Sequence, residues 1–329
     1  MRVAVVGSGP AGCAAAIALR RAGADVTLLG DGRDGVGEQL HPAARPLLAR
    51  LGLGCLTGQL ECVGVRAAWR SAVVHEQPFL SHPLGSGWLL DRASFGAMLR
   101  AAAAEAGASV RSPARLLGLT RGPSASSSGR SAWRLALSDG ALDCDWIVDA
   151  TGRRADVARL LGVARRRHDR QVALVGWLAA ERPDDVDATL TVETTAHGWW
   201  YGCRLPGGRR VAGFVGPARR LDAHAWEAEL RATRLLAPLL DGYRVVHAPV
   251  ARAADSSILE RCHGPGWLAI GDAAVSWDPL ASRGLVAALA SGLEAASLVG
   301  ASEARLAARQ EVIETRFAEY RAERVRLYA

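Results

Sequence analysis

The chain has 329 residues, half of them apolar, enough to bury a substantial core as one large domain or two. Its formal net charge of +7 contains no lysine and no asparagine accompanies it, so all 40 basic residues are arginine and the balance reads as the codon bias of a GC-rich genome, with no nucleic-acid partner. The densest basic run, Arg165 to Arg170, has no interleaved aromatics to stack bases and reads as a solvated loop, while six scattered cysteines without a C-x-x-C pair fit a reduced, cytoplasmic protein.

In chain order, Val3 to Val6 is an apolar strand that breaks at Gly7-Ser8-Gly9-Pro10-Ala11-Gly12 and runs into a helix over 14–22. Glycines placed straight after a strand argue that this segment is not a signal peptide. Asp25 to Leu29 is a second strand, a glycine-rich loop follows, and residues 43–53 read as a helix after Pro42. The runs 63–69 and 72–76 read as strands outside any parallel sheet. Asp91 can cap a helix that places Phe95, Met98 and Leu99 on one face. Residues 115–120, 132–137 and 145–150 form a meander, with a Ser/Gly-rich loop at 122–131, a hairpin turn at Asp139-Gly140, and a last strand ending in D-A-T-G-R. Strands then follow at 172–180, 188–194, 199–205 and 210–215, with the period-2 alternation of an antiparallel sheet covered on one face. Residues 223–240 read as one helix, 244–248 as a strand, 284–301 as a buried helix and not a membrane span, and 303–329 as a charged amphipathic helix.

The first turn suits a bound pyrophosphate. Gly7 permits the tight turn, Gly9 lets the backbone approach phosphate, Gly12 lets helix pack on strand, and the helix N-terminus supplies N–H donors and a positive dipole. A second turn, W-L-A-I-G-D-A-A-V-S-W-D-P-L-A-S-R-G over 267–284, offers another strand, then Asp272 for a cofactor hydroxyl, then Pro279 and Gly284 opening a helix. Two such turns in one chain point to FAD. The acid that binds ribose hydroxyls belongs about 20 residues beyond the first fingerprint. Gly30 stands there, so the following Asp31 is the candidate. The histidines show no metal-ligand spacing with one another or with cysteine, and no metal is assigned.

With G-S-G-P-A-G, G-E-Q-L-H-P-A-A-R-P-L-L-A-R-L-G-L, L-L-D-R-A-S-F, D-A-T-G-R-R-A, H-G-W-W-Y, L-P-G-G-R-R-V and G-D-A-A-V-S-W-D-P-L-A-S-R-G-L in this order, the chain resembles flavoprotein monooxygenases of the para-hydroxybenzoate hydroxylase fold. Within them it is similar to the tryptophan-halogenase-like branch that contains maturation flavoproteins for tryptophan-derived quinone cofactors. The resemblance implies an α/β fold: a Rossmann-like FAD-binding domain of the glutathione-reductase type over 1-62, 84-162 and 255-329, including the C-terminal helix. An antiparallel-sheet substrate domain over 63-83 and 163-254 is interlaced with it. The resemblance puts Gly7, Ser8, Gly9, Pro10, Ala11 and Gly12 on the FAD pyrophosphate, Arg92 near the phosphate or ribityl chain, and Asp272 on a ribityl hydroxyl. Glu38 and Gln39 fall in a loop close to the flavin, and Pro279, Gly284 and Leu285 beside it, where a helix N-terminus stabilises charge on the reduced ring.

The implied activity is FAD-dependent monooxygenation of an aromatic ring, a small molecule or a peptide tryptophan-like side chain, through a peroxide formed on the flavin from O2. Electrons come from NAD(P)H or a separate flavin reductase. His197, Trp199, Trp200 and Tyr201 are the substrate-pocket candidates, and alternation sends Trp199 and Tyr201 to one face and Trp200 to the other. Halogenases of this branch resemble each other in a lysine that captures the hypohalous species, and the 329 residues contain none. The family continues past the terminal helix, so a pocket that is more open, or completed by a reductase or peptide partner, is expected. Two alternatives stand beside this reading: a flavin dehydrogenase of a small natural product, and a flavoprotein-fold scaffold that binds a peptide.

Overall fold

A computed structural model describes residues 1–32, 35–36, 39–122, 133–180, 184–217 and 223–328. Its first layer is a six-stranded sheet in the order 263–264, 267–269, 146–149, 2–6, 25–29, 109–111. All neighbours run parallel except the terminal hairpin at 263–264. Such a sheet must be covered on both faces, which is why its strands are continuous apolar runs. Val3 and Val5 pack with helices Pro10–Arg21, Arg92–Glu105 and Gly284–Leu298. Ala4 and Val6 face the other way, onto Trp133, Leu135 and Leu137 of the antiparallel meander.

Helix Pro10–Arg21 is mostly alanine, and helix Gly284–Leu298 crosses it at very short range. A Cβ on Gly292 would stand 2.3 Å from the Ala11 carbonyl oxygen and 2.7 Å from Ala14 Cβ. Helix Arg92–Glu105 starts as expected, with Asp91 Oδ1 accepting from the Ser94 N–H at 2.9 Å and with Phe95 and Leu99 buried.

The second layer is an eight-stranded sheet in the order 244–245, 171–179, 209–217, 198–204, 189–195, 64–68, 75–78, with 250–253 also paired to 171–179. It is antiparallel but for one pair: Gly64–Ala68 runs parallel to Thr189–Thr195, against the expectation for 63–69. Over a hundred residues separate these two strands, so no hairpin dictates their direction. A second correction concerns 223–240, which is helix only over Ala223–Arg231, followed by a 3-10 turn at Ala237–Leu240. Between them the buried Glu193 carboxylate accepts the N–H groups of Arg234, Leu235 and Leu236 at 2.9, 3.0 and 2.8 Å, so these donors turn toward the sheet instead of continuing the helix. Residues 244–248 shorten to Arg244–Val245, and Val250–Ala253 adds a strand.

Helix Glu303–Tyr328 runs across the layers. Leu306 belongs to the core under the helices, Ile313 packs on the meander core, and Tyr328 on the core of the second sheet. Among the described residues no helix is long and apolar enough to cross a membrane.

Two outcomes follow from this packing. Gly292→Leu pushes backbone against backbone, and we expect a loss of about 1–3 kcal/mol in stability, read as a lower midpoint in thermal unfolding followed by circular dichroism. In the second layer, Arg210 donates to Asp185 at 2.9 and 3.0 Å, and the Tyr243 hydroxyl donates to it at 2.6 Å. Burial pushes the Asp185 carboxyl up, but these bonds overcome it and hold it at about 2 against an ordinary 3.8. A lowered folded-state value contributes stability above pH 3.8 that is lost as pH falls through about 2. Allowing for solvent screening, Asp185→Asn should cost on the order of 1–2 kcal/mol at pH 7 and progressively less below pH 3.8 in urea unfolding.

Candidate active site

A cavity of about 830 Å³ opens where the first layer meets the second. One end is the glycine turn. Gly7 has φ +114°, and its N–H donates to the Leu29 carbonyl at 2.8 Å. A side chain on Gly7 would collide with the Ala150 carbonyl, and one on Gly12 would sit 1.7 Å from the Gly7 oxygen. A Cβ at Gly9 would meet nothing within 4 Å, so the backbone there faces open space. Gly7, Ser8, Gly9, Pro10 and Ala11 line the cavity; Gly12 does not, and its part is to seat helix on strand.

At Gly30, where the acid is missing, a Cβ would lie 2.2 Å from Ser8 Oγ, so a side chain there would require the serine to shift. Asp31 does line the cavity and accepts from Arg154 Nη2 at 2.9 Å. Arg154 is delivered by D-A-T-G-R-R, a turn organised by buried Asp149, which accepts from the Thr151 N–H at 3.0 Å, the Thr151 hydroxyl at 2.6 Å and the Ala158 N–H at 3.0 Å. Burial nevertheless pushes the Asp149 carboxyl up.

Asp272 sits in the single turn Gly271–Ala273 that follows strand Trp267–Ala269. Its carboxylate is deep in the protein but reaches the cavity, with 37 % of the side chain open to it. Burial raises its pKa, and Arg153, Arg165 and Arg92 oppose the rise. Arg153 Nε stands 3.6 Å from Asp272 Oδ2, while its other nitrogens bond the Trp277 carbonyl at 2.8 Å and the Asp255 carbonyl. Arg165 donates to Ser257 Oγ and to the Asp272 carbonyl, both at 2.9 Å, and to the Ala273 carbonyl. The run read as a solvated loop is therefore corrected at its first residues: Arg165–Arg167 is a strand paired with Ser257–Leu259, because the Arg165 guanidinium has buried oxygens to satisfy. Sequence alone assigns no role to Arg153 or Arg165; the only signal was the D-A-T-G-R motif around the first.

Arg92 lines the cavity and donates from Nη1 to the Val36 carbonyl at 2.7 Å. Gln39 is buried on the same wall, with Nε2 3.8 Å from Cys62 Sγ and no hydrogen-bond partner for Oε1 among the described residues. Glu38 lies outside the described residues. Pro279, Gly284 and Leu285 also line the cavity, so helix Gly284–Leu298 begins at its wall.

At the far end the second sheet supplies Ala173, Leu190, Val192, Trp199, Tyr201, Cys203 and Val215. The four aromatic-strand candidates separate here. Trp199 and Tyr201 face the cavity, but Trp200 faces away and packs against Phe214 and Trp226 with centroids 5.4 and 5.5 Å apart. His197 is exposed in the hairpin turn and does not line the cavity. Trp200 and His197 are therefore corrected as pocket residues, the first by strand alternation and the second by its place in the turn. Gly213 goes unnoticed in the sequence. A Cβ there would stand 2.2 Å from the Tyr201 ring, so the tyrosine lies over a bare glycine.

These residues fit a dinucleotide carrying an aromatic ring. The volume lies within the range of about 300–1,000 Å³ typical of cofactor sites. Gly9 leaves room for phosphate, two helices begin at the wall, and Gln39 Oε1 and Asp272 are acceptors with unused capacity.

Comparison with known proteins agrees with this geometry. The family model for pyridine nucleotide-disulphide oxidoreductases matches residues 1–49. Menaquinone reductase of Mycobacterium tuberculosis is 30% identical over 324 residues, covering 90% of this chain and 76% of the reductase. The FAD-dependent oxidoreductase designated LodB of Marinomonas mediterranea is 25% identical over 346 residues, covering 98% of this chain and 91% of LodB. Among solved structures, QhpG, a peptidyl tryptophan dihydroxylase essential for tryptophylquinone cofactor biogenesis, superposes with a TM-score of 0.78 at 28% identity, over 97% of this chain and 72% of its own. Flavin-dependent halogenases share the fold.

Proposed function

From the premise that this chain belongs to the family of FAD-dependent oxidoreductases that includes the menaquinone reductases, we propose that it is a monooxygenase hydroxylating an aromatic ring, carried by a small molecule or a peptide side chain. Its cofactor is FAD. The observation that carries the reading is the single cavity running from the glycine turn to an apolar chamber walled by Trp199 and Tyr201. When bound, FAD supplies the redox chemistry, taking electrons from NAD(P)H or a separate reductase and passing them to O2.

The protein's share is binding, orientation and exclusion of water. In this reading the backbone N–H groups of Ser8, Gly9 and Ala11 hold the pyrophosphate in the turn that Gly7 and Gly12 make possible, Asp31 takes ribose hydroxyls, and Arg92 and Gln39 hold the middle of the cofactor. Asp272 accepts from a ribityl hydroxyl, and the backbone N–H groups at Gly284 and Leu285 meet the electron-rich edge of the ring. Pro279 then borders the reacting face, and the apolar side chains of Leu190, Val192, Trp199 and Val215 on the sheet side of the chamber accept a flat apolar ring while expelling water. The same reading assigns 1-62, 84-162 and 255-329 to the cofactor and 63-83 and 163-254 to the substrate. The absence of lysine from the chain supports oxygenation over halogenation.

The 30% identity to menaquinone reductase favours a second reading, reduction or oxidation of a quinone-like ring without oxygen insertion. Turnover under ¹⁸O2 separates the two: the monooxygenase reading expects one labelled oxygen per product, and unlabelled product overturns it. The cofactor map has its own check. Asp272→Ala removes an acceptor facing the cavity, and we expect FAD retention to weaken by about tenfold or more while far-ultraviolet circular dichroism stays unchanged. Undiminished absorbance near 450 nm per mole of purified protein would count against the assignment of Asp272.

A further inference from the structure

The last turn of the terminal helix reaches the chamber wall. Trp199 is 3 % exposed, and its indole Nε1–H donates to the Tyr328 hydroxyl oxygen at 2.9 Å. The Tyr328 hydroxyl in turn donates to Asp278 Oδ2 at 2.8 Å. Asp278 is 3 % exposed and also takes the Arg324 Nε–H at 3.0 Å and, on Oδ1, the Leu280 N–H at 2.9 Å. The direction of this relay is fixed, because an indole nitrogen can only donate and an ionised carboxylate can only accept. Trp69 adds a second tie: it stands edge-on to Trp199 and Tyr328, with centroids 6.2 and 5.7 Å apart, and donates to the Leu327 carbonyl at 2.9 Å.

Both ends of the relay border the cavity, Trp199 on the sheet side and Asp278 beside Pro279 and Leu280. We propose that Tyr328 is a positioning residue: by accepting from Trp199 and donating to Asp278 it fixes the indole plane in the chamber wall, and so sets the size of ring the chamber admits. The ring-size part rests on the aromatic-substrate reading above; the positioning part does not. Without the hydroxyl, a buried indole N–H loses its partner, and the ring gains a reason to turn out of the wall.

The test uses the FAD-loaded protein labelled with 5-fluorotryptophan, the Trp199 resonance being assigned by its loss in Trp199→Phe. In Tyr328→Phe, which keeps the ring and its packing, the ¹⁹F signal of Trp199 should shift or broaden while flavin content is retained. Indole and 2-naphthol, titrated by flavin difference spectra, report ring size. We expect indole affinity to fall about tenfold in Tyr328→Phe and the preference between the two rings to narrow. In the Trp199→Phe background the Tyr328→Phe change should add almost nothing, since the coupled donor is already gone. This cycle also tests the proposal if the single Tyr328 variant proves poorly folded, because a purely structural role would cost the same in both backgrounds. An unmoved Trp199 signal, or equal effects in the two backgrounds, overturns the proposal. A moved signal with neither ring compound perturbing the flavin spectrum supports the positioning role and overturns the aromatic-substrate reading instead.

Discussion

Backbone meeting backbone, with no room for a side chain between, is the constraint on which the site depends. Gly7 against Ala150, Gly12 against Gly7 and Gly292 against Ala11 are three such approaches, and Gly271 stands as close to the Ala11 Cβ. Together they bring the first turns of two helices, from Pro10 and from Gly284, to one cavity. The reach of a helix terminus explains why the tolerance is tight. Its partial charge and unpaired N–H groups act within the first turn, so a helix displaced by one turn would contribute little. Glycine and alanine at the crossing are thus the local sequence consequence of a short-range electrostatic requirement.

The polar groups around the cavity follow a related logic. Burial raises the carboxyl of Asp272, and Arg153 and Arg165 oppose that rise without closing it off from the cavity. They can do so because backbone carbonyls of Asp255, Trp277, Asp272 and Ala273 hold the guanidinium groups, leaving Asp272 attracted but not capped. Toward the glycine turn, Arg100, Arg115, Arg154 and Arg159 line the cavity against Asp31 and Asp156, a surplus of positive charge where a pyrophosphate would lie. Asp31 is held by Arg154 and remains on the wall, so the acid absent from position 30 is offered from the neighbouring residue.

How far the sequence discloses this depends on how local each signal is. The glycine turn, the Asp91 cap and the alternation that parts Trp199 and Tyr201 from Trp200 are all written within a dozen residues, and all are found in the structure. What escapes the sequence has its cause far along the chain. Arg165 looks like part of a solvated basic run because the oxygens it satisfies are 92 to 108 residues away. The break in 223–240 is made by Glu193 from a strand of the second sheet, and the crowding at position 30 by Ser8. Gly213 is silent because its purpose, a place for the Tyr201 ring, belongs to the neighbouring strand. Such residues share one feature: each completes a contact whose other half must be known first.

The terminal helix shows how two layers that the chain enters and leaves repeatedly act as one body. It contributes Leu306, Ile313 and Tyr328 to three separate cores, and Gln310 Oε1 accepts the Cys262 N–H at 2.8 Å along the way. Its last turns meet Asp278, whose buried carboxylate would lose Arg324 and Tyr328 if the helix lifted off. The end of the helix and the turn of Pro279 and Leu280 are therefore tied through one carboxylate, and because Trp199 bonds to the same tyrosine, the chamber wall is tied to both. The cavity is lined from both layers, and the interlaced course of the chain is what brings their residues to it.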